Sequence, residues 1–412
     1  MVSTVAPPST LALLGGSPLH PQPWPDWPVW DGREEEAVLR ALRSGHWGRL
    51  TGPEAAAFES EFATFQECRY GVATPCGTTA LKLALLALGI QAGDEVIVPP
   101  YTFVATVGAV IQCNAVPVFV DIHPDSYCLD PARVAEAITP KTRAIIAVHL
   151  GGMPADLDAL CAFGIPVIED ASHAHGSVYK GRKVGGIGAL GCFSFQASKN
   201  LNCGEGGIVL TNDEALYKKV RAESEWGAGS NGQILGSNFR MTELQAALLR
   251  AQLTRLPEQA ARRDANGKTL DTLLAQVPGI RPLPRATLGC YVHGYHLYSF
   301  RYDEAVWELP RATFIRAMRA EGIPVDPGYA SPLYDWPVFA HKHFGPWDAS
   351  RGGFAAPGVH RANCPVMERV SHHEGCWIKQ SALLAESQEV HLIAEATHKI
   401  WNNRDVLATF QG

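Results

Sequence analysis

The sequence runs to 412 residues, 46% apolar and 18% charged, with a formal net charge of −6. That length suits two to three domains with large cores, and mild acidity without any Lys/Arg-rich run argues against a nucleic-acid-binding role. No apolar run reaches the roughly 18 residues needed to span a bilayer, and Leu11 to Leu14 is too short for a signal core.

Residues 1–28 carry Pro7, Pro8, Pro18, Pro21, Pro23, Pro25 and Pro28. Such a stretch cannot be a helix interior and reads as an extended arm, with Trp24, Trp27 and Trp30 as anchors onto the body or a partner subunit. A rhythm of helices and strands follows. Helices are expected over Glu34–Ser44, Glu54–Gln66, Thr78–Leu88, Thr102–Gln112, Pro131–Ala137 and Leu157–Phe163. Between them lie short strands: Gly71–Thr74, Glu95–Val98, Pro117–Val120, Ala144–Val148 and Pro166–Ile168, the last running into Glu169 and Asp170. Near-continuous Val/Ile strands separated by helices indicate a mostly parallel sheet covered on both faces, an α/β layer architecture.

Cys192–Phe195 and Gly207–Leu210 read as two closely spaced strands, and Met241–Leu256 as a strong amphipathic helix, continued by Ala261–Val277 beyond Pro257. The pattern then changes. Tyr298–Tyr302 is strand-like, Arg311–Glu321 helical, Pro324–Pro346 a loop rich in Pro, Tyr and Trp, and His391–Trp401 a final helix. The expected division is an arm (1–28), a large domain (29–262) and a small C-terminal domain (263–412). Ten scattered cysteines with no CxxC pair read as free thiols in a reducing compartment, hence a cytoplasmic protein without a metal site.

Five segments carry chemistry. In Ser194-Phe-Gln-Ala-Ser-Lys199-Asn-Leu-Asn-Cys-Gly204-Glu-Gly206-Gly207, one lysine stands between an apolar strand and a glycine-rich turn. A lysine becomes a nucleophile when burial or a neighbouring cation lowers its pKa, although such a residue also suits an ordinary surface. In Ile168-Glu-Asp170-Ala-Ser-His173-Ala-His175-Gly176, Asp170 ends a core strand, where parallel sheets bind ligands. A carboxylate there can hold the proton of a ring nitrogen, or simply cap a helix. Thr74-Pro-Cys-Gly77-Thr78-Thr79 starts a helix whose free amides favour phosphate. Pro99-Pro-Tyr101-Thr-Phe103-Val-Ala-Thr106 offers an aromatic ring to stack on a flat ligand or to pack in the core. Gly236-Ser-Asn238-Phe-Arg240-Met opens a helix with groups suited to an anion, or with Asn238 as its cap.

Taken in this order, the segments resemble the DegT/DnrJ/EryC1/StrS family of aminotransferases, which use pyridoxal 5′-phosphate on the type I aspartate aminotransferase fold: a large, mostly parallel-sheet domain and a smaller α+β C-terminal one. The resemblance extends from about residue 29 to the C-terminus. It implies that Lys199 holds the cofactor as a Schiff base and shuttles the substrate proton. Asp170 would pair with the ring nitrogen, and His173 would lie near the phenolic oxygen. Phe103 would stack on the ring, and Gly77, Thr78 and Ser194 would contact the phosphate. Asn238 would reach the phosphate across a homodimer interface.

The same resemblance implies glutamine or glutamate as amino donor and a keto-sugar or keto-cyclitol as acceptor, in secondary-metabolite or amino-sugar formation. The chain looks most like the cyclitol (scyllo-inosose) aminotransferase and 3-amino-5-hydroxybenzoate synthase branch, through His173-Ala-His175-Gly176, Lys180-Gly181-Arg182, Gly236-Ser-Asn238 and the Trp377 region. Cys76 and Lys379-Gln380 depart from it. Trp47, Arg49, Tyr329 and Gln380 are candidates for the acceptor pocket, and Trp47 and Arg49 also suit ordinary packing. The alternatives are a dehydratase or aromatising synthase of the same family, which a lysine at 199 argues against, and a silent partner subunit, which intact Lys199 and Asp170 argue against.

Overall fold

The computed structural model describes residues 10–285, 288–341, 344, 360–361 and 363–409. Pro7 and Pro8 of the arm, and residues 342–343 and 345–346 of the expected Pro/Tyr/Trp loop, lie outside the described residues.

Five strands come first: β1 (Tyr70–Thr74), β2 (Glu95–Val98), β3 (Val116–Phe119), β4 (Thr142–Val148) and β5 (Val167–Asp170). A short hairpin, β6 (Val178–Tyr179) and β7 (Arg182–Lys183), precedes β8 (Leu190–Ser194) and β9 (Gly207–Thr211). The later strands are β10 (Ile280–Pro282), β11 (Cys290–Val292), β12 (Leu297–Tyr302), β13 (Val325–Asp326), β14 (His360–Arg361) and β15 (Gly375–Lys379). The helices before residue 262 are α1 (Gly32–Ser44), α2 (Glu54–Phe65), α3 (Gly77–Ala87), α4 (Val104–Gln112), α5 (Pro131–Ala137), α6 (Leu157–Cys161), α7 (Glu214–Ser224) and α8 (Glu243–Leu253), with α9 (Leu256–Leu274) crossing that point. Then follow α10 (Glu304–Trp307), α11 (Arg311–Ala320), α12 (Pro337–Ala340), α13 (Pro365–Arg369), α14 (Ser387–Asn402) and α15 (Arg404–Ala408).

The large sheet has the order β1-β9-β8-β5-β4-β2-β3-β14. All its pairs are parallel except those that β9 makes with β1 and β8. β9 therefore runs against the rest, and β1, β2, β4, β5 and β8 end at one common edge. Strands covered on both faces leave no position to solvent, so β2, β5, β8 and β9 are buried along their whole length. A second, wholly antiparallel sheet runs β10-β12-β15-β13, and a third runs β11-β6-β7.

Two apolar clusters hold these layers. The larger surrounds the eight-stranded sheet, and the smaller joins the later half of α9 to β12, β15, α11 and α14. Leu333, Tyr334, Phe339, Cys364, Met367 and Val370, though late in the chain, pack into the larger cluster. The arm packs on the smaller: Leu11 is buried there, and Leu13, Leu14, Leu19 and Trp24 lie against it. Glu321 ties the arm down, accepting from the amides of Ala12 at 2.9 Å and Leu19 at 3.1 Å. The Trp24 indole donates to the carbonyl of Gly322 at 2.8 Å, whereas Trp30 stays exposed.

Several expected boundaries shift for local reasons. Helix α4 starts at Val104 rather than Thr102, because Phe103 keeps an extended backbone. Pro257 sits inside the first turn of α9, where a missing amide costs nothing, so the break falls before it. The helix expected from His391 begins at Ser387, held by reciprocal hydrogen bonds between Glu386 and Glu389, and α15 rather than α14 ends the described chain. The expected loop after Pro324 contains β13, a turn of 3₁₀ helix at Leu333–Asp335, and α12.

Candidate active site

The common edge of β1, β2, β4, β5 and β8 forms one wall of a cavity of about 810 Å³. Val148, Asp170 and Ser194, at or near the ends of three adjacent strands, border it, as do the starts of α3 and α4. The opposite wall comes from the smaller sheet: His296 and Leu297 at the start of β12, Asp326 to Tyr329 from the end of β13 onward, and Trp377, Lys379, Gln380 and Ser381 around the end of β15. Ligands settle at such strand ends because the loops and helix starts there leave polar backbone free.

At the base, Asp170 is buried, and its Oδ2 accepts the Thr106 hydroxyl at 2.8 Å. Thr102 stands one helical turn earlier, 2.9 Å from the Thr106 oxygen. Lys199 lies in the loop after β8, half-buried, with no ion pair among the described residues. Burial pulls its amine from 10.5 down to about 8, against the opposing pull of the Asp170 charge. A fraction of the side chain is therefore neutral, and nucleophilic, near neutral pH.

Two histidine rings, His173 and His296, lie beside the lysine, tilted 34° to each other with centroids 4.2 Å apart. Nδ1 of His173 accepts the Gly151 amide at 3.2 Å, which leaves the proton of the neutral ring on Nε2. Burial, and then the Lys199 charge, hold this ring well below its ordinary pKa. His296 is pushed down in the same way by burial, then by His173. The Asn200 amide donates to the carbonyl of Gly294 at 2.6 Å, so its Oδ1 faces Nδ1 of His296 across 3.4 Å.

The amino terminus of α3 opens on the cavity. The Cys76 side chain at its cap takes none of the leading amides, and its first turn holds no acid, so those amides are free for an anion. Gly77 is dictated by space. A Cβ there would stand 2.7 Å from the Ser194 Cβ, so only glycine lets the helix start meet the end of β8. Phe103 borders the cavity with 58% of its surface exposed, an apolar ring held open to a ligand. Across from it, Tyr329 packs edge-on against Trp377 at 5.1 Å and against Tyr101 at 5.3 Å.

Lys199, Asp170, His173, Phe103, Gly77, Thr78, Ser194, Tyr329 and Gln380 all border this one cavity. Trp47, Arg49 and Asn238 do not. The expectation that Trp47 and Arg49 line it is not met within this chain, because both are engaged elsewhere. The Trp47 indole donates to the carbonyl of Leu42 at 2.9 Å, and Arg49 pairs with Glu59 at 2.8 Å. Asn238 lies beside Glu225 in an isolated bridge.

Thr106, His296 and Trp27 border the cavity without having stood out in the sequence. Trp27 brings the arm into the wall and donates to the carbonyl of Ala197, two residues before Lys199, at 3.0 Å. The i, i+4 spacing of Thr102 and Thr106 was a usable signal for the first of these. Trp27 read only as an anchor of the arm, and His296 carried no signal.

Comparison with known proteins agrees with this geometry. Residues 29–349 match the DegT/DnrJ/EryC1/StrS aminotransferase family. The L-glutamine:2-deoxy-scyllo-inosose aminotransferase of Streptoalloteichus tenebrarius is 38% identical, covering 95% of this chain and 98% of its own. Its counterpart from Streptomyces kanamyceticus is 39% identical, covering 97% and 99%. Among solved structures, 3-amino-5-hydroxybenzoic acid synthase superposes with a TM-score of 0.80 at 32% identity, over 91% of this chain and 97% of that one. With its mostly parallel sheet and this strand-end cavity, the chain belongs to the DegT/DnrJ/EryC1/StrS aminotransferase family and is an enzyme of that class.

Proposed function

We propose that this aminotransferase uses pyridoxal 5′-phosphate to move an amino group from L-glutamine to a keto-cyclitol or related keto-sugar, in secondary-metabolite formation. The carrying observation is the meeting of Lys199, Asp170, His173 and the free start of α3 in one cavity. The names of the relatives support the choice of donor and acceptor.

The residues present fit the cofactor. The uncapped start of α3, with the space kept by Gly77, suits a phosphate, and Ser194 and Thr78 add hydroxyls beside it. Asp170 suits a protonated pyridine nitrogen, and Thr106 keeps its carboxylate aligned. Phe103 offers a stacking face, and the Nε2 proton of His173 suits an oxygen acceptor such as the phenolic oxygen. When bound, pyridoxal phosphate supplies an electron sink for charge developing at the donor's Cα.

The chain's own groups do the rest. Lys199 would hold the cofactor covalently, and its freed amine would take the proton from Cα and deliver it to the cofactor carbon C4′. Asp170 keeps the ring nitrogen protonated. Tyr329, Trp377 and Trp27 narrow the cavity and exclude water. Asn238, away from this chain's own cavity, would serve the phosphate of a partner subunit, which makes a homodimer part of this reading. The division into an arm (1–28), a cofactor domain (29–262) and a small domain (263–412) also belongs to it. The two apolar clusters support that division, with Leu333, Tyr334, Phe339, Cys364, Met367 and Val370 packing back across it. Ten free cysteines support a reducing, cytoplasmic setting, and among the described residues no helix is long and apolar enough to cross a membrane.

The test is the visible spectrum of the protein with pyridoxal phosphate, before and after L-glutamine, followed by product analysis with 2-deoxy-scyllo-inosose. A yellow band that bleaches with glutamine, and an aminated cyclitol, are expected. A band indifferent to both glutamine and glutamate would overturn the reading.

A further inference from the structure

Arg263, in the first half of α9, is fully buried, and no carboxylate pairs with it among the described residues. Among the described residues, half-buried Arg240 also has an unpartnered Nη1, over the Trp226 ring, and the other enclosed arginines are compensated. Arg49 and Arg221 close on Glu59, Arg255 on Glu34, and Arg285 on Asp264 and Asp271, while Arg311 donates to five backbone carbonyls. Arg263 has a single acceptor. Its Nε and Nη2 both donate to Oε1 of Gln380, at 2.9 and 2.5 Å, and its Nη1 has no hydrogen-bond partner. The Trp27 ring lies over the guanidinium at 5.1 Å. Nη1 is sealed inside the chain, so no group of a second subunit can hydrogen-bond to it.

This grip fixes the Gln380 amide. With Oε1 held on the guanidinium, Nε2 is turned to the other side of the amide carbon. It is not among the sealed, unpartnered atoms, and Gln380 borders the cavity. A donor amide with a positive charge behind it therefore faces the ligand space, flanked by Lys379 and Ser381. Among the cavity's carboxylates, Asp326 is paired with Arg319, Asp170 takes the Thr106 hydroxyl, and Glu205, exposed, lies in the turn after Lys199 rather than beside Gln380 in the sequence.

We propose that Gln380, backed by Arg263, receives a carboxylate of the amino-acid donor. This rests on the aminotransferase reading above. A keto-cyclitol offers hydroxyl and carbonyl oxygens but no charge, so a positive field at this wall selects the donor over the acceptor. The other anion of the reaction, the cofactor phosphate, has its own cradle at α3. Gln380 is thus a specificity residue, and Arg263 a positioning residue that acts through it.

The experiment is calorimetric titration of the cofactor-loaded protein with glutarate, a dicarboxylate without an amino group, in the wild type, Gln380→Glu and Gln380→Met. Gln380→Glu keeps the size and gives Arg263 a counter-charge, so it should unfold no earlier than the wild type. It also turns a negative oxygen toward the cavity. Its glutarate affinity should fall about tenfold or more, with a parallel rise in KM for L-glutamine and no change in KM for the keto acceptor or in cofactor affinity. Gln380→Met should lose glutarate in the same way, and it decides the matter where the glutamate variant does not fold. Absence of glutarate binding to the wild type, or equal binding by the wild type and a folded variant, overturns the proposal. A loss of cofactor affinity in place of glutarate affinity assigns this wall to the phosphate and also overturns it. Glutarate binding that depends on Gln380, in a protein that transfers no amino group from glutamine or glutamate, upholds the carboxylate site and refutes the aminotransferase reading instead.

Discussion

The Thr106 hydroxyl donates to Oδ2 of Asp170 at 2.8 Å, and Thr102 stands behind it at 2.9 Å, so a chain of two hydroxyls, one in α4 and one just before it, orients the carboxylate at the end of β5. Thr106→Val is close to isosteric and deletes the link. Hydrogen bonds to charged groups contribute about 1.5–3 kcal/mol, so kcat/KM should fall roughly tenfold or more, with Tm lowered only slightly. Steady-state kinetics with L-glutamine checks this, and a variant with wild-type rates would show that Asp170 needs no help from α4.

Gly77 gives a separable test of the phosphate cradle. An alanine methyl would meet the Ser194 Cβ at 2.7 Å, and neither the end of β8 nor the helix start can retreat without opening the sheet edge. Overpacking of this kind costs about 1–3 kcal/mol. The strain falls on the site itself, so Gly77→Ala should weaken pyridoxal phosphate binding by about tenfold or more, while far-ultraviolet dichroism stays that of the wild type. Spectroscopic titration with the cofactor reads the effect, and unchanged affinity would place the phosphate elsewhere.

Arg49 tests the other side of the assignment. Glu59 is buried and receives Arg49, Arg221 and the amide of Ala73. Arg49→Met leaves Arg221 in place, so the loss should be partial, about 1–3 kcal/mol of stability. Within a single chain this residue stands away from the cavity, so KM for donor and acceptor should hold steady as Tm drops. A selective rise in acceptor KM with unchanged Tm would mean that Arg49 serves a neighbouring subunit's cavity.

The parts legible in the sequence are those whose cause is local. Glu95–Val98 and Pro131–Ala137 form with the bounds read from the sequence, because a buried parallel strand is a continuous apolar run and a proline sets a helix start. Helix α7, Glu214–Ser224, escaped notice because it shows few apolar residues, although Asp213 caps it. Strand β15 depends on β12 and β13 for both its edges, and nothing near it announces them. The site divides the same way. Lys199, Asp170 and Gly77 stand at strand ends and turns, where residue type betrays chemistry. Arg263 reads as one more charge on a helix beside Arg262, and Trp27 as one anchor among prolines. Their meaning lies in what approaches them from more than a hundred positions away, Gln380 and Ala197.

Lys199 also carries the pH dependence. Burial lowers its amine from 10.5 to about 8 in the folded chain. Below about pH 8 the ammonium is charged in the folded and unfolded states alike, and folding must enclose that charge. Between about 8 and 10.5 the folded chain binds fewer protons than the unfolded chain, so the penalty this residue imposes is relieved as pH rises through the window. The cofactor-free protein should therefore be less stable than Lys199→Met near neutral pH, and the gap should close toward pH 10.5. The same titration governs reactivity: borohydride-trapped attachment of pyridoxal phosphate to the wild type should increase along a curve centred near 8, and should vanish in Lys199→Met. A curve centred at 10.5 would mean that the amine stands in water rather than in the cavity wall.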